Sequence, residues 1–125
     1  MKAMFFLIAM TVSPMLFQPN LTGISKAISE GDYATLGTYF DQNVELTVLD
    51  KQDQYDKAQA TQALKDFFSK NQPKSFSPVH QGNAKGGTSH YTIGDLTAST
   101  GNFRVYLYYK TVGDKFIIQE MRIEK

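Results

Sequence analysis

The sequence predicts an α+β domain in which three N-terminal helices pack on a strongly curved antiparallel β-sheet. Three observations carry that expectation. Between residues 21 and 73 apolar side chains recur mostly at helical spacing, with one period-two stretch among them. From residue 76 onward the period is two throughout, and short runs rich in Val, Ile, Tyr and Phe are divided by turns containing Gly. Helices gathered ahead of a sheet must cover its apolar face with their own apolar stripes, which bends the sheet around them.

The elements follow in order. Leu21, Ile24, Ala27 and Ile28 make the stripe of a first helix, which ends at Gly31, a residue that takes the left-handed cap conformation at little cost. Asp32 is the expected N-cap of a second helix, in which Tyr33, Leu36, Tyr39 and Phe40 share a face. From Val44 the period changes: Val44, Leu46 and Val48 alternate with Glu45, Thr47 and Leu49 as a strand. Residues 50–54 read as a polar turn. Asp56 with Gln59 has capping-box spacing, and Ala60, Ala63, Leu64, Phe67 and Phe68 form the stripe of a third helix that Pro73 prevents from continuing. Residues 76–81 read as a short strand that Pro78 makes an edge or a bulge, and 83–87 (NAKGG) as a flexible turn. Strands over 89–96, 103–110 and 115–124 complete a meander, with hairpin signals at Thr100-Gly101-Asn102 and Val112-Gly113-Asp114.

Composition sets bounds. The chain has 125 residues, 42% of them hydrophobic, with seven Tyr and nine Phe and no Cys, which suits one domain with an aromatic core and excludes disulfide scaffolds and cysteine zinc modules. Thirteen basic against twelve acidic residues, dispersed along the chain, lack the stripe that would neutralise several phosphates, so nucleic acid is not an expected partner. Lys2 precedes a ten-residue apolar run, 3–12, which has the length of a signal-peptide core and is too short for a stable membrane span. Residues 1–20 are therefore expected to be a signal peptide, with an apolar helix on the domain or an uncleaved anchor as alternatives. Residues 21–125 form the domain, and the protein is expected to be exported, periplasmic or extracellular. No A-x-A marks a cleavage site, and without Cys there is no lipid-attachment residue.

The run from helix through an E-G-D corner, a second helix, an F-D-x-x-V-E-L strand, a third helix and a meander resembles the nuclear transport factor 2-like superfamily, the cystatin-like cone shared with ketosteroid isomerases and polyketide cyclases. The pieces ISEGDYATLGTYFDQNVEL, F-x-x-x-H-Q-G, Y-T-I-G-D-L, F-R-V-Y and I-I-Q-E-M-R-I-E resemble a group of small exported bacterial proteins of that superfamily, a family of unknown function. The resemblance implies the cone and an export route. It also implies where isomerase chemistry would sit: a tyrosine near Ile24 and an aspartate base near Thr47, and neither residue can act as needed. Glu45, the nearest acid, is expected to point away from the core with Thr47.

Three sets of candidates remain. Leu36, Tyr39, Phe40, Phe67, Phe68, His80, Phe103 and Val105 are the candidate lining of a ligand pocket in the cone, although an ordinary core uses the same residue types. Arg104, Tyr106 and Tyr108 share one face of a strand, and tyrosines on the polar side of a sheet suit an interface, here a homodimer of the kind the resemblance implies. Gln119 and Arg122 have opposite parity and join that face only across a bulge. His80 and His90 lie on neighbouring predicted strands, where they could converge, but no clustered carboxylate accompanies them, so no metal site is expected and no cofactor motif is present. The expected function is a non-catalytic envelope module that binds a small apolar ligand or an envelope protein. The alternative is a small-substrate enzyme using Tyr33, Tyr39, Asp41 or His80, for which no catalytic set matches.

Overall fold

In a computed structural model, which describes residues 21–83 and 88–125, the order is α1 (Thr22–Glu30), α2 (Tyr33–Thr38), β1 (Phe40–Val48), β2 (Lys51–Asp56), α3 (Lys57–Lys70), β3 (Pro73–Asn83), β4 (Ser89–Ala98), β5 (Gly101–Val112) and β6 (Lys115–Glu124). The apolar leader and residues 84–87 of the expected turn lie outside the described residues.

The helices begin and end by local chemistry. Gly31 closes α1 at φ +69°, with its N–H bonded to the Ile28 carbonyl at 3.2 Å. The Asp32 carboxylate accepts from the Thr35 N–H at 3.1 Å and starts α2, and these bonds hold its pKa below the usual carboxylate value. Asp56 accepts from the Gln59 N–H at 2.8 Å while the Gln59 side chain accepts from the Asp56 N–H at 3.1 Å, the reciprocal capping box of α3.

One six-stranded curved sheet runs in the order β2-β1-β6-β5-β4-β3. It corrects the expected architecture in four places. The sheet is mixed, because β1 lies parallel to β6, with Leu46 beside Met121 and Val48 beside Ile123. Only α1 and α2 precede it, since α3 connects β2 to β3. The expected polar turn at 50–54 is instead strand β2, an exposed edge paired with β1 from Asn43↔Asp56 to Val48↔Lys51. Phe40 opens β1 rather than closing α2, and faces Ile118 across the sheet.

The core lies between the helices and the inner sheet face. Ile24 and Ile28 from α1, Leu36 from α2 and Leu64, Phe67 and Phe68 from α3 meet Val44 and Leu46, Leu96, Phe103, Val105 and Leu107, and Ile118, Met121 and Ile123. Among the register shifts of the sheet, two bulges re-aim polar side chains. At Pro78–His80 the ladder passes from Pro78↔Gly94 to His80↔Ile93, and at Gln119 from Tyr109↔Ile118 to Tyr108↔Glu120. Each moves a polar side chain outward that simple alternation would direct inward.

Candidate functional site

The expected pocket lining separates in space. Leu36, Phe40, Phe67, Phe68, Phe103 and Val105 are all inside, none more than 5% exposed, and Phe67 meets Phe103 edge to face at 5.2 Å and Phe68 at 5.7 Å. Tyr39 is half-buried against this core. His80 is not with them: it is exposed on the outer sheet face, where its Nε2 lies 3.0 Å from the Tyr91 hydroxyl, beside Gly82. His90 lies on the inner face, so the sheet stands between the two histidines and they do not converge. Tyr33, the other tyrosine of the enzyme alternative, packs against the core under Lys65, while the Asp41 carboxylate accepts from the neighbouring Gln42 N–H at 2.8 Å. The positions that isomerase chemistry would need are no closer to one: Ile24 is buried among apolar groups, and Thr47 lies cross-strand from Arg122 on the outer face. Glu45 shares that face, accepting a hydrogen bond from Gln52 at 2.5 Å.

At one end of the inner face a polar cluster forms that sequence reasoning did not single out. Asn83, His90, Tyr109 and Ile118 occupy one cross-strand row. His90 stacks on Tyr109 at 5.5 Å, and Phe116 packs on Tyr109 at 4.8 Å. The Asn83 amide oxygen lies 2.6 Å from His90 Nδ1, which therefore donates, leaving Nε2 toward the Thr111 hydroxyl at 3.5 Å. Thr92 is the buried polar residue of the core among the described residues, and its hydroxyl pairs with that of Tyr109 at 2.9 Å. The signal in the sequence is the alternation His90, Thr92, Gly94, Leu96, Ala98, which puts two polar residues in line with the apolar face.

That buried pair gives a prediction. Tyr109→Phe or Thr92→Val leaves one hydroxyl buried without its partner and is expected to cost about 1–3 kcal/mol, whereas the double variant costs less than the sum, as urea unfolding at neutral pH will measure. Burial pushes the Tyr109 hydroxyl above its ordinary value of 10.0, with the Thr92 bond acting in the opposite direction. Because the folded pKa lies above the unfolded one, this contribution to stability is complete below the unfolded value and fades as pH rises through the folded one. Alkaline unfolding of Tyr109→Phe should lack that part of the pH dependence.

The outer face is a different surface. Its cross-strand rows run His80–Ile93–Tyr106–Arg122–Thr47 and Gly82–Tyr91–Tyr108–Glu120–Glu45, with Asp95–Arg104–Glu124 beside them. Arg104 holds Asp95 at 2.7 Å, and Arg122 holds Glu120 at 3.3 Å and Glu124 at 3.6 Å while lying over the Tyr106 ring at 5.7 Å. Arg104, Tyr106 and Tyr108 thus share one face, and Arg122 joins them across the Gln119 bulge. Every carboxylate of β4, β5 and β6 within these rows is on this side, and among the described residues no Asp or Glu is buried.

The geometry has counterparts. The family described as a domain of unknown function, DUF4783, matches residues 21–124. The chain belongs to that family. A DUF4783 protein of known structure from Bacteroides ovatus is 33% identical, with 87% of this chain and 97% of that one covered and a TM-score of 0.79. One from Bacteroides uniformis is 34% identical over 85% and 97% of the two chains, with a TM-score of 0.77. A nuclear transport factor 2-like protein of unknown function from Shewanella oneidensis, 17% identical over 84% and 93%, superposes with a TM-score of 0.63 and shares the fold. No curated protein matches the chain. The family of unknown function is the one the sequence resembles, the fold is that shared with the nuclear transport factor 2-like protein, and among the described residues no helix is long and apolar enough to cross a membrane.

Proposed function

We propose that this DUF4783 domain is a non-catalytic binding module of the bacterial cell envelope that works as a homodimer paired through the outer sheet face. The observation that carries the reading is the sorting of groups across the sheet. The acids of β4 to β6 lie outside, held by Arg104 and Arg122, so the inner face of β3 to β6 keeps hydroxyls, the amides of Gln81 and Asn83 and one histidine without an acid partner. Proton abstraction next to a carbonyl needs a base and an oxyanion donor facing the same cavity, and the groups are not arranged that way.

The same sorting favours a second copy as the occupant of the outer face. Tyr91, Ile93, Tyr106, Tyr108 and Ile117 supply apolar and aromatic area, with Tyr108 37% exposed. Arg104, Lys110 and Arg122 are balanced there by Asp95, Glu120, Glu124 and Glu45. A face carrying both signs in nearly equal number complements itself better than it complements a strongly charged partner. Pairing offsets part of the cost of desolvating these charges on contact, and tyrosines give large area at low entropic cost. Export rests on the apolar run at 3–12 behind Lys2.

Sedimentation velocity of the chain over a concentration series tests the pairing. A dimer is expected, and Tyr108→Glu, which sets a like charge beside Glu120 in the middle of the face, is expected to sediment as a folded monomer. A wild-type chain that remains monomeric at every concentration, or a variant that dimerises as well as wild type, contradicts the proposal.

A further inference from the structure

Apart from the sheet faces, a cleft of about 360 Å³ opens between the end of α3 and the β1–β2 hairpin. We propose that it binds a small amphipathic monocarboxylate, an apolar body carrying a single carboxylate, and that it does so whether or not the chain pairs with a second copy.

Its volume is that of a small-molecule site. Phe67 and the half-buried Val48, Tyr55 and Ala63 make an apolar floor. Lys51 from β2 and Lys70 from α3 stand at the rim, and among the described residues neither is in an ion pair. Asp66 is the one acid of the lining, one helical turn before Lys70 and not within ion-pair distance of it. The rim therefore carries a net single positive charge above an apolar base. Carbonyls at the C-terminus of α3 work against an anion, and of these the Phe67 carbonyl is occupied, accepting from the Asn71 N–H at 2.9 Å and from Asn71 Nδ2 at 3.0 Å, so the two lysines carry the attraction. Asn71 Oδ1 accepts from the Thr100 hydroxyl at 2.6 Å, which leaves the second Nδ2–H as the donor Asn71 can offer a carboxylate.

Leu49 is the second, independent observation. It occupies the first position of the two-residue turn between β1 and β2 with φ +60°, where Gly or Asn is the ordinary occupant, and its side chain is 43% exposed. Two local preferences are broken at one residue. The turn is not loose, because the Leu49 N–H bonds the Ile123 carbonyl of β6 at 2.8 Å. An exposed apolar side chain held in an unfavourable backbone conformation at the lip of an apolar cleft contributes little inside the fold. It gains a purpose when it closes over a ligand.

The test is a ¹H–¹⁵N correlation titration of the 125-residue chain with octanoate, and with octan-1-ol and octylammonium as neutral and cationic probes of equal length. Saturable shifts are expected at Leu49, Tyr55, Ala63 and Lys70, with octanoate bound about tenfold more tightly than octylammonium. Lys70→Gln should weaken octanoate and Asp66→Asn should tighten it, both being substitutions of exposed side chains. Leu49→Gly should lose affinity for all three probes while its urea midpoint stays level or rises. Shifts that fail to saturate, octylammonium bound as tightly as octanoate, or an Asp66→Asn variant with weaker affinity overturns the proposal.

Discussion

Phe67→Ala is expected to remove about 3–5 kcal/mol of stability, a large share of the 5–15 kcal/mol that holds a domain of this size. The ring is where α3 meets the sheet. It is 5% exposed, packs edge to face on Phe103 from β5 and touches Phe68 one residue on in its own helix. Truncation to Cβ loses the transfer energy of the ring and leaves a void between α3 and β5 around which the close-packed core collapses only in part. Lys65→Ala, on the exposed side of the same helix, should stay within about 0.5 kcal/mol of wild type. Urea unfolding of the two variants side by side measures the contrast. A Phe67→Ala loss below about 1 kcal/mol would mean that α3 is not anchored through this contact.

Gly94→Ala is the second large effect, through excess volume instead of a void. Gly94 is buried in β4 opposite Pro78, and an added Cβ would run into the Phe76 ring and come within 2.9 Å of the Ser77 carbonyl oxygen. A side-chain ring can swing aside; the Ser77 carbonyl belongs to the backbone of β3 and cannot move without disturbing the ladder. The cost should be about 1–3 kcal/mol, with amide exchange accelerated along β3 before the rest of the sheet. Gly113 is the useful comparison, since it has φ +64° and a Cβ added there would meet nothing within 4 Å. Gly113→Ala should cost about 1 kcal/mol from backbone conformation alone and leave β3 exchange unchanged.

The helices could be read from the sequence where they carry local signals: Gly31 stops α1, Asp32 starts α2 and the Asp56–Gln59 box starts α3, and none of these needs a partner elsewhere in the chain. Strand β2 was hidden for the opposite reason. Its residues, Lys-Gln-Asp-Gln-Tyr-Asp, have no apolar alternation, because an exposed edge strand has little to bury and only Tyr55 reaches the core. The parallel pairing of β1 with β6 joins the two ends of the domain, which no local pattern reports. Phe40 fits either period, and it is the pairing with Ile118 that makes it a strand residue.

The candidate site divides in the same way. By parity His80 would follow Phe76 and Pro78 to the inner face and into the expected pocket lining, but the bulge after Pro78 turns it outward to Ile93 and Tyr91. Pro78 signals that a bulge is available, and alternation alone cannot say which side chains it re-aims. The Gln119 bulge could be anticipated, since without one Arg122 and Tyr106 would face opposite ways. The His90–Tyr109–Thr92 cluster depends on pairings between β3, β4 and β5, and Thr92 alone in the sequence reads as an ordinary strand threonine.

Pairing through the outer sheet face is tested most directly by isotope-filtered nuclear Overhauser spectroscopy on a mixture of ¹³C-labelled and unlabelled chains. Cross-peaks between protomers are expected from the rings of Tyr106 and Tyr108 to side chains of the same sheet face, Ile93 and Ile117 among them. Inter-protomer cross-peaks confined to the sheet edges, at Val79 or Val112, would contradict the account, as would their complete absence from the outer face at concentrations where the chain sediments as a dimer.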